Sequence, residues 1–247
     1  MAVDFLHSTR HEREVTPHRK KIAIVQSNYI PWKGYFDLIN SVDEFIILDE
    51  VQFTKNDWRN RNKIKSRTGL EWLSIPVKQE NLGQTISSTR VLDGRWAGKH
   101  WKTICHNYSR SVHFDAYAKI VEQVYAEAAA LQTLSEVNLL FIQRICELMG
   151  ITTTISSCTD YELRGDRVER LINLCHHAGG DTYLSGPAAR MYMNETAFDN
   201  SGIALEWMDY SGYGKYNQLF PPFEHGVTIL DLLFNAGPDY KIFMKSF

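Results

Sequence analysis

Residues 20–50 read KKIAIVQSNYIPWKGYFDLINSVDEFIILDE. Two short apolar runs, KKIAIVQ at 20–26 and EFIILDEVQ at 44–52, flank a polar, aromatic turn and a helical stretch. Each run has the pattern of a strand buried on both faces. Two such strands joined by one helix predict a right-handed β-α-β unit with parallel strands. Pro31 is placed to open the helix, because its missing N–H costs nothing in the first turn. An ordinary connection of this kind needs roughly two to six small polar residues. Here Gln26, Asn28, Tyr29, Trp32, Lys33, Gly34 and Tyr35 crowd into ten positions, more side-chain chemistry than a connector requires.

The alternation resumes further along the chain. ITTTISS (151–157) reads as strand, DRVERLINLCHHA (166–178) as helix, DTYLS (181–185) and GIALEWMDY (202–210) as strands, and GVTILDLLFNAGP (226–238) as a short helix stopped by Gly237 and Pro238. In between, FTKNDWRNRNKIKSRTG stays polar until LEWLSIPV (70–77) supplies another strand. WAGKHWKTICHNYS (96–109) and AYAKIVEQVYAEAAALQTLSEVNLLFIQRICELMG (116–150) are helical, with Leu131, Leu134, Phe141, Ile142, Ile145, Leu148 and Met149 recurring at helical spacings before Gly150. The expected architecture is α/β: a Rossmann-like layered fold with a mostly parallel sheet. It forms one domain over 21–247 with an additional helical region around 95–150, after a flexible N-terminal arm at 1–20.

The 247 residues are 44% hydrophobic and 23% charged, enough for a substantial core. A net charge of −2 gives no global reason to bind nucleic acid or an anionic membrane. No apolar run approaches the roughly 18 residues of a membrane span, and the first twenty residues lack the apolar core of a secretory signal, so no membrane insertion and a cytoplasmic location are expected. Cys105, Cys146, Cys158 and Cys175 show no paired spacing; they are read as reduced thiols, with no metal site.

In an open parallel sheet, ligands bind at the carboxyl ends of strands, and four segments meet that test. After the first strand, Gln26 and Asn28 are amide hydrogen-bonders beside a helix N-terminus, Tyr29, Trp32 and Tyr35 are flat surfaces, Lys33 is a charge, and Gly34 allows close approach of a ligand or strand. Core packing is the competing reading of the aromatics. After the second, Lys55, Arg59, Arg61, Lys63, Lys65 and Arg67 make a locally basic group suited to polyvalent phosphate, with Asn56, Asn60 and Asn62 as amide donors and acceptors. Solvated surface is the alternative, and contact with RNA stays open. After DTYL, Ser185 and Gly186 offer free amides to a phosphate or carboxylate with Arg190 one turn along, though the same residues are a routine helix start.

The fourth segment, DYSGYGKYNQLFPPFEHG (209–226), places His225 in a turn before the last helix, where an ordinary imidazole transfers protons near neutral pH. Asp49 and Glu50 point to opposite faces if both stay in the strand, so one of them faces the pocket. Asp57, His106, His176 and His177 complete the titratable candidates; the CHH run at 175–177 is read as a favourable helix C-terminus.

QSNYIPWKGYFDLI, FIILDEVQFTKNDWRNRNKIK, WLSIPV, TYLSGPAARMY and PFEHGVTILDLLFNAGP, in this order, together resemble the WbqC-like family across nearly all of residues 21–247. The resemblance implies a place in bacterial surface-polysaccharide and O-antigen gene clusters and, for one suggested activity, glycine transfer. A looser similarity links the chain to nucleotidylyl transferases and class I synthetases. There PWKGY puts Pro31 and Tyr35 where that group has histidines, so adenylylation would need charge from Lys33, Lys55, Arg59 or Arg61.

Two functional expectations follow. In the first, the chain transfers glycine or another aminoacyl group to the amino group of a nucleotide-linked sugar, with Asp49 or His225 as the base. Phosphates are then held by the basic segment and the Ser185–Gly186 turn, and Tyr29, Trp32 and Tyr35 contact sugar or base. ATP, as an acyl-adenylate, and aminoacyl-tRNA are the candidate acyl sources. In the second, the same cleft belongs to a non-catalytic sugar-nucleotide-binding or accessory protein; self-association as a homo-oligomer is left open.

Overall fold

The computed structural model describes residues 19–247. The arm expected at 1–20 lies outside the described residues except for Arg19 and Lys20, and the Lys20 ammonium is held 2.7 Å from Glu44. The decisive stretch forms β1 (Lys21–Val25), α1 (Lys33–Asn40) and β2 (Glu44–Ile47). The two strands pair in parallel, Ile22 opposite Glu44 through Val25 opposite Ile47. Trp32 takes the N-cap, so Pro31 stands just before the helix rather than in its first turn.

With β5 (Thr154–Ser157), β6 (Thr182–Ser185) and β7 (Ala204–Trp207), they build a five-stranded, all-parallel sheet in the order β5-β2-β1-β6-β7. The chain winds outward from β1 to β5, then returns to the other side of β1. Alternate side chains feed two cores, as the period of a strand requires: Ala23, Phe45 and Ile47 pack in one, and Ile22, Ile24, Ile46 and Leu48 in the other. Helices therefore cover both faces, the arrangement a sheet without a polar side demands. Each fully buried Ile or Phe contributes roughly 1.5–3 kcal/mol.

The crossover from β2 to β5 carries an antiparallel hairpin, β3 (Arg61–Ser66) and β4 (Gly69–Ser74), and three helices, α2 (Arg95–Tyr108), α3 (Phe114–Ala128) and α4 (Leu134–Met149). Two expectations need correction here. LEWLSIPV supplies the expected strand, as β4 of this separate hairpin, but its partner β3 falls in the stretch read as merely polar. The helical run 116–150 breaks before Thr133, whose side chain accepts from the Glu136 N–H while Glu136 caps back, a reciprocal cap that starts a new helix. Three helices follow: α5 (Arg167–His177), α6 (Glu195–Asn200) and α7 (Ile229–Ala236). No helix among the described residues is long and apolar enough to cross a membrane, and all four cysteines are free.

Candidate functional site

The strand order reverses between β1 and β6, and these strands pair only at Lys21–Thr182 and Ile22–Tyr183. A parallel sheet takes its ligands outside the carboxyl ends of its strands, beside such a point. The loop leaving β1 is clamped from three sides. Asp49, at the end of β2, accepts from the Ser27 N–H (2.8 Å), the Ser27 hydroxyl (2.7 Å) and the Ser135 hydroxyl (2.5 Å). Asn138 of α4 donates to the same Ser27 hydroxyl at 2.9 Å. The Tyr29 N–H donates to the Trp58 carbonyl at 3.0 Å, tying the loop to the chain that enters β3.

Ile30 adopts φ +35°, a conformation that costs a β-branched residue about 1–3 kcal/mol and persists only where its surroundings enforce it. Asn62 of β3 supplies the enforcement, donating from Nδ2 to the carbonyls of Tyr29 (3.1 Å) and Ile30 (2.8 Å). The far side is closed by the segment ahead of α7: the Thr228 N–H donates to the Lys63 carbonyl and the Ile229 N–H to the Pro31 carbonyl, each at 2.9 Å. These links bring His225 from a distant part of the sequence against the β1 loop.

Between the walls lies a cavity of about 310 Å³ lined by Asn28, Trp32, Trp58, Asn62 and His225, with Pro31 and Gly226 at its edge. A larger cavity, about 360 Å³, sits beside Trp96, Lys99 and His100 of α2. It belongs to the helical insertion and not to the walls around the β1 loop, so the smaller one is the candidate site. His225 packs edge-on against Phe223 at 4.6 Å, and its buried Nδ1 has no hydrogen-bond partner among the described residues. Burial lowers its proton affinity below the usual imidazole value, and the nearby charges of Lys33 and Lys215 lower it further, against an opposing effect of Glu224. These effects favour the neutral ring.

Lys33, the first residue of α1, is buried, bonded to the Gly214 carbonyl at 3.1 Å and placed 4.6 Å over the Tyr213 ring. Burial brings its ammonium down to about 8, against a raising effect of Asp37. Trp32 wedges between Tyr210 (5.2 Å) and Tyr213 (5.8 Å). Gly34 serves this wedge rather than a ligand, because a Cβ there would fall inside the Trp32 indole.

The remaining expected site residues divide clearly. Tyr29 is fully buried, its hydroxyl between His100 Nδ1 (2.9 Å) and the Tyr125 hydroxyl (2.7 Å), and Tyr35 is buried with its hydroxyl donating to the Gln26 carbonyl at 3.1 Å. Both are core tyrosines, so neither reaches a ligand in the cavity. Asp49 does not line the cavity; its oxygens hold the loop. Arg59 donates to Asn28 Oδ1 and, at 2.8 Å, to Gln26 Oε1, bracing both amides instead of facing solvent. Asn60 donates to the Ile75 carbonyl at 2.9 Å, Arg61 lies over Trp72 at 4.1 Å, and Lys55 is exposed.

Ser185 is buried with its hydroxyl 3.4 Å from that of Tyr183, and Gly186 lies under Tyr210, one ring away from Trp32. Arg190 is exposed, with its guanidinium 4.8 Å over the Trp207 ring. Sequence reasoning had left out Trp58, Ser27 and Asn138, and had counted Asn62 only among local amides. A tryptophan within a run of Asn, Arg and Lys was the available signal for Trp58.

Fold and cavity together define a parallel α/β protein covered on both faces, with a cavity between the loop that leaves β1, the β3 hairpin and the segment ahead of α7. Residues 26–242 match the WbqC-like protein family, and the chain belongs to that family. It is 48% identical over 225 residues to the uncharacterized protein Rv1507c of Mycobacterium tuberculosis, an alignment that covers 90% of this chain and 97% of the relative. No solved structure matches the chain.

Proposed function

We propose that this protein is an aminoacyl transferase, with glycine the acyl group the family resemblance favours, acting on the amino group of a nucleotide-linked sugar during O-antigen or other surface-polysaccharide synthesis. The observation that carries the reading is His225: an imidazole whose surroundings favour the neutral form, on the wall of a ligand-sized cavity, with cations alongside it. An amine arrives largely protonated, and only its free base is a nucleophile. His225 takes the proton from the ammonium, the amine nitrogen attacks the acyl carbon of an activated ester, and the amide C–N bond forms as the ester C–O bond breaks and the attacking nitrogen releases its surplus proton to solvent. The imidazolium then returns its proton to the departing oxygen.

Asn28 supports orientation of the acceptor. Its Oδ1 is fixed by Arg59, so Nδ2 is aimed and available to a sugar hydroxyl. Trp32 and Trp58 supply flat apolar walls for the sugar or base. The Ser185–Gly186 turn is assigned no phosphate here, since Tyr210 stands over it.

The test compares binding with turnover. Titration calorimetry with a nucleotide-linked amino sugar should give the same affinity for wild type and His225→Gln, while transfer by the variant falls by about 10²–10⁴-fold. Equal transfer by both proteins would remove His225 from the chemistry. Saturable binding by both with no transfer by either would leave a binding or accessory role.

A further inference from the structure

The solvent side of the β3–β4 hairpin has an unusual make-up for a chain of net charge −2. Its register places Arg61 opposite Ser74, Lys63 opposite Trp72 and Lys65 opposite Leu70, all on one face. That face holds no carboxylate and two cations within reach of solvent, Arg61 and Lys63, while Lys65 is buried. The one acidic residue of the hairpin, Glu71, pairs with Ile64 on the other face, toward Asn107 of α2. Asp57, in the segment entering β3, is drawn to Arg59 at 3.8 Å.

The aromatic groups on this face are ordered as well. The Arg61 guanidinium lies 4.1 Å over Trp72, Trp72 stands 5.5 Å from Trp58, and Trp58 is a wall of the cavity. Lys63 Nζ is 5.0 Å from the Trp72 ring and 5.7 Å from Trp58. Both indoles are 41% exposed, an expense of apolar surface that the fold does not use for packing. Lys65 anchors the hairpin to the Pro222 carbonyl, in the segment that carries His225. A row of flat rings edged with cations therefore ends at the candidate base.

We infer that this row seats the unpaired 3′ end of an RNA, whose bases stack on Trp72 and Trp58 while Arg61 and Lys63 meet its phosphates, so that an aminoacyl ester on the terminal ribose is delivered into the cavity. Indoles accept any base because every base has a π-face, and cations spaced along them match a backbone with one negative charge per nucleotide. The inference rests on the acyl-transfer reading of the cavity and names its donor class. Transfer from the ester to the amine forms the amide and frees the ribose hydroxyl, which takes the proton carried by His225, so no further reactant is needed.

The probe is a fluorescein-labelled single-stranded RNA ending in CCA, followed by anisotropy with the full chain at low salt. Wild type should bind saturably, and Trp72→Ala should weaken binding about tenfold or more. Lys63→Ala should weaken it and reduce the slope of log affinity against log salt by about one. Trp72 and Lys63 lie on the open face, and unchanged thermal midpoints would verify that both variants are folded. The same RNA closed into a blunt duplex should compete poorly. Absence of saturable binding by wild type, equal binding by Trp72→Ala, or equal competition by the duplex would overturn the inference. Glycine transfer from an acyl-adenylate or thioester without RNA binding would refute this donor and leave the transferase standing; RNA binding without any transfer would do the reverse.

Discussion

Asn62 holds the carbonyl of Ile30 at 2.8 Å, across 32 residues of sequence, and by doing so fixes a backbone turn that Ile30 would not adopt alone. The hairpin and the first strand are thereby one unit, and the cavity lies where they meet. Replacing Asn62 with Leu keeps bulk but leaves two buried carbonyls without a donor. Stability should drop by about 2–4 kcal/mol in urea denaturation, and amino-sugar binding should weaken with it. A loss below 0.5 kcal/mol, roughly the scale of an ordinary surface change, would mean that the turn is held by something else.

The acid limb of transfer should report His225. Its proton affinity is lowered by burial and by Lys33 and Lys215, so the rate should rise as pH climbs to a midpoint below the ordinary imidazole value of about 6.5 and level off at neutrality. Lys215 is exposed, and Lys215→Ala should move that midpoint upward with little effect on folding. A pH–rate profile that does not shift would dissociate the limb from His225.

Much of the fold was legible because β1 and β2 are buried on both faces and carry continuous apolar runs. RNKIKS at β3 was not, since its inward residues Asn62 and Ser66 are polar and its outward face is cationic. The break before α4 was masked by good helix formers at 126–131, although Thr133 and Glu136 carry a cap signature. Within the site, His225, Trp32 and Asn28 were visible from their positions after strands. Tyr29 and Tyr35 were not separable from them, because a tyrosine's sequence neighbours do not reveal whether its hydroxyl ends on a ligand or on His100. Trp58 and Asn62 enter the cavity only through pairing of the hairpin with the β1 loop.

His100 should make the fold acid-labile. Burial holds its imidazole down at about 4, so between that value and the unfolded value of about 6.5 the unfolded chain binds more protons and stability falls as pH falls. At pH 5 the contribution is a loss of about 2 kcal/mol relative to pH 7. His100→Gln retains an acceptor for the Tyr29 hydroxyl but does not titrate, and its stability difference between pH 7 and pH 5 should be smaller than that of wild type by this amount. Parallel pH curves for the two proteins would refute the assignment.

Asp231 is fully buried at the start of α7 and accepts from Tyr108 (2.8 Å), Tyr216 (2.7 Å) and Gln218 (2.8 Å). It joins α2 to the segment that leads into His225. Asp231→Ala strands three donors and should cost about 3 kcal/mol or more, read as a lowered midpoint of thermal unfolding. An unchanged midpoint would show that these donors find other partners.

The central claim is that the cavity beside the β1 loop joins an acyl group to an amino sugar with His225 as the base. Mass spectrometry of a nucleotide-linked amino sugar, incubated with glycyl-tRNA and either wild type or His225→Gln, tests it most directly. The account predicts a glycine-sized mass gain on the sugar nucleotide with wild type and almost none with the variant. No gain with wild type across a panel of amino sugars and acyl donors, or the same gain with both proteins, would contradict it.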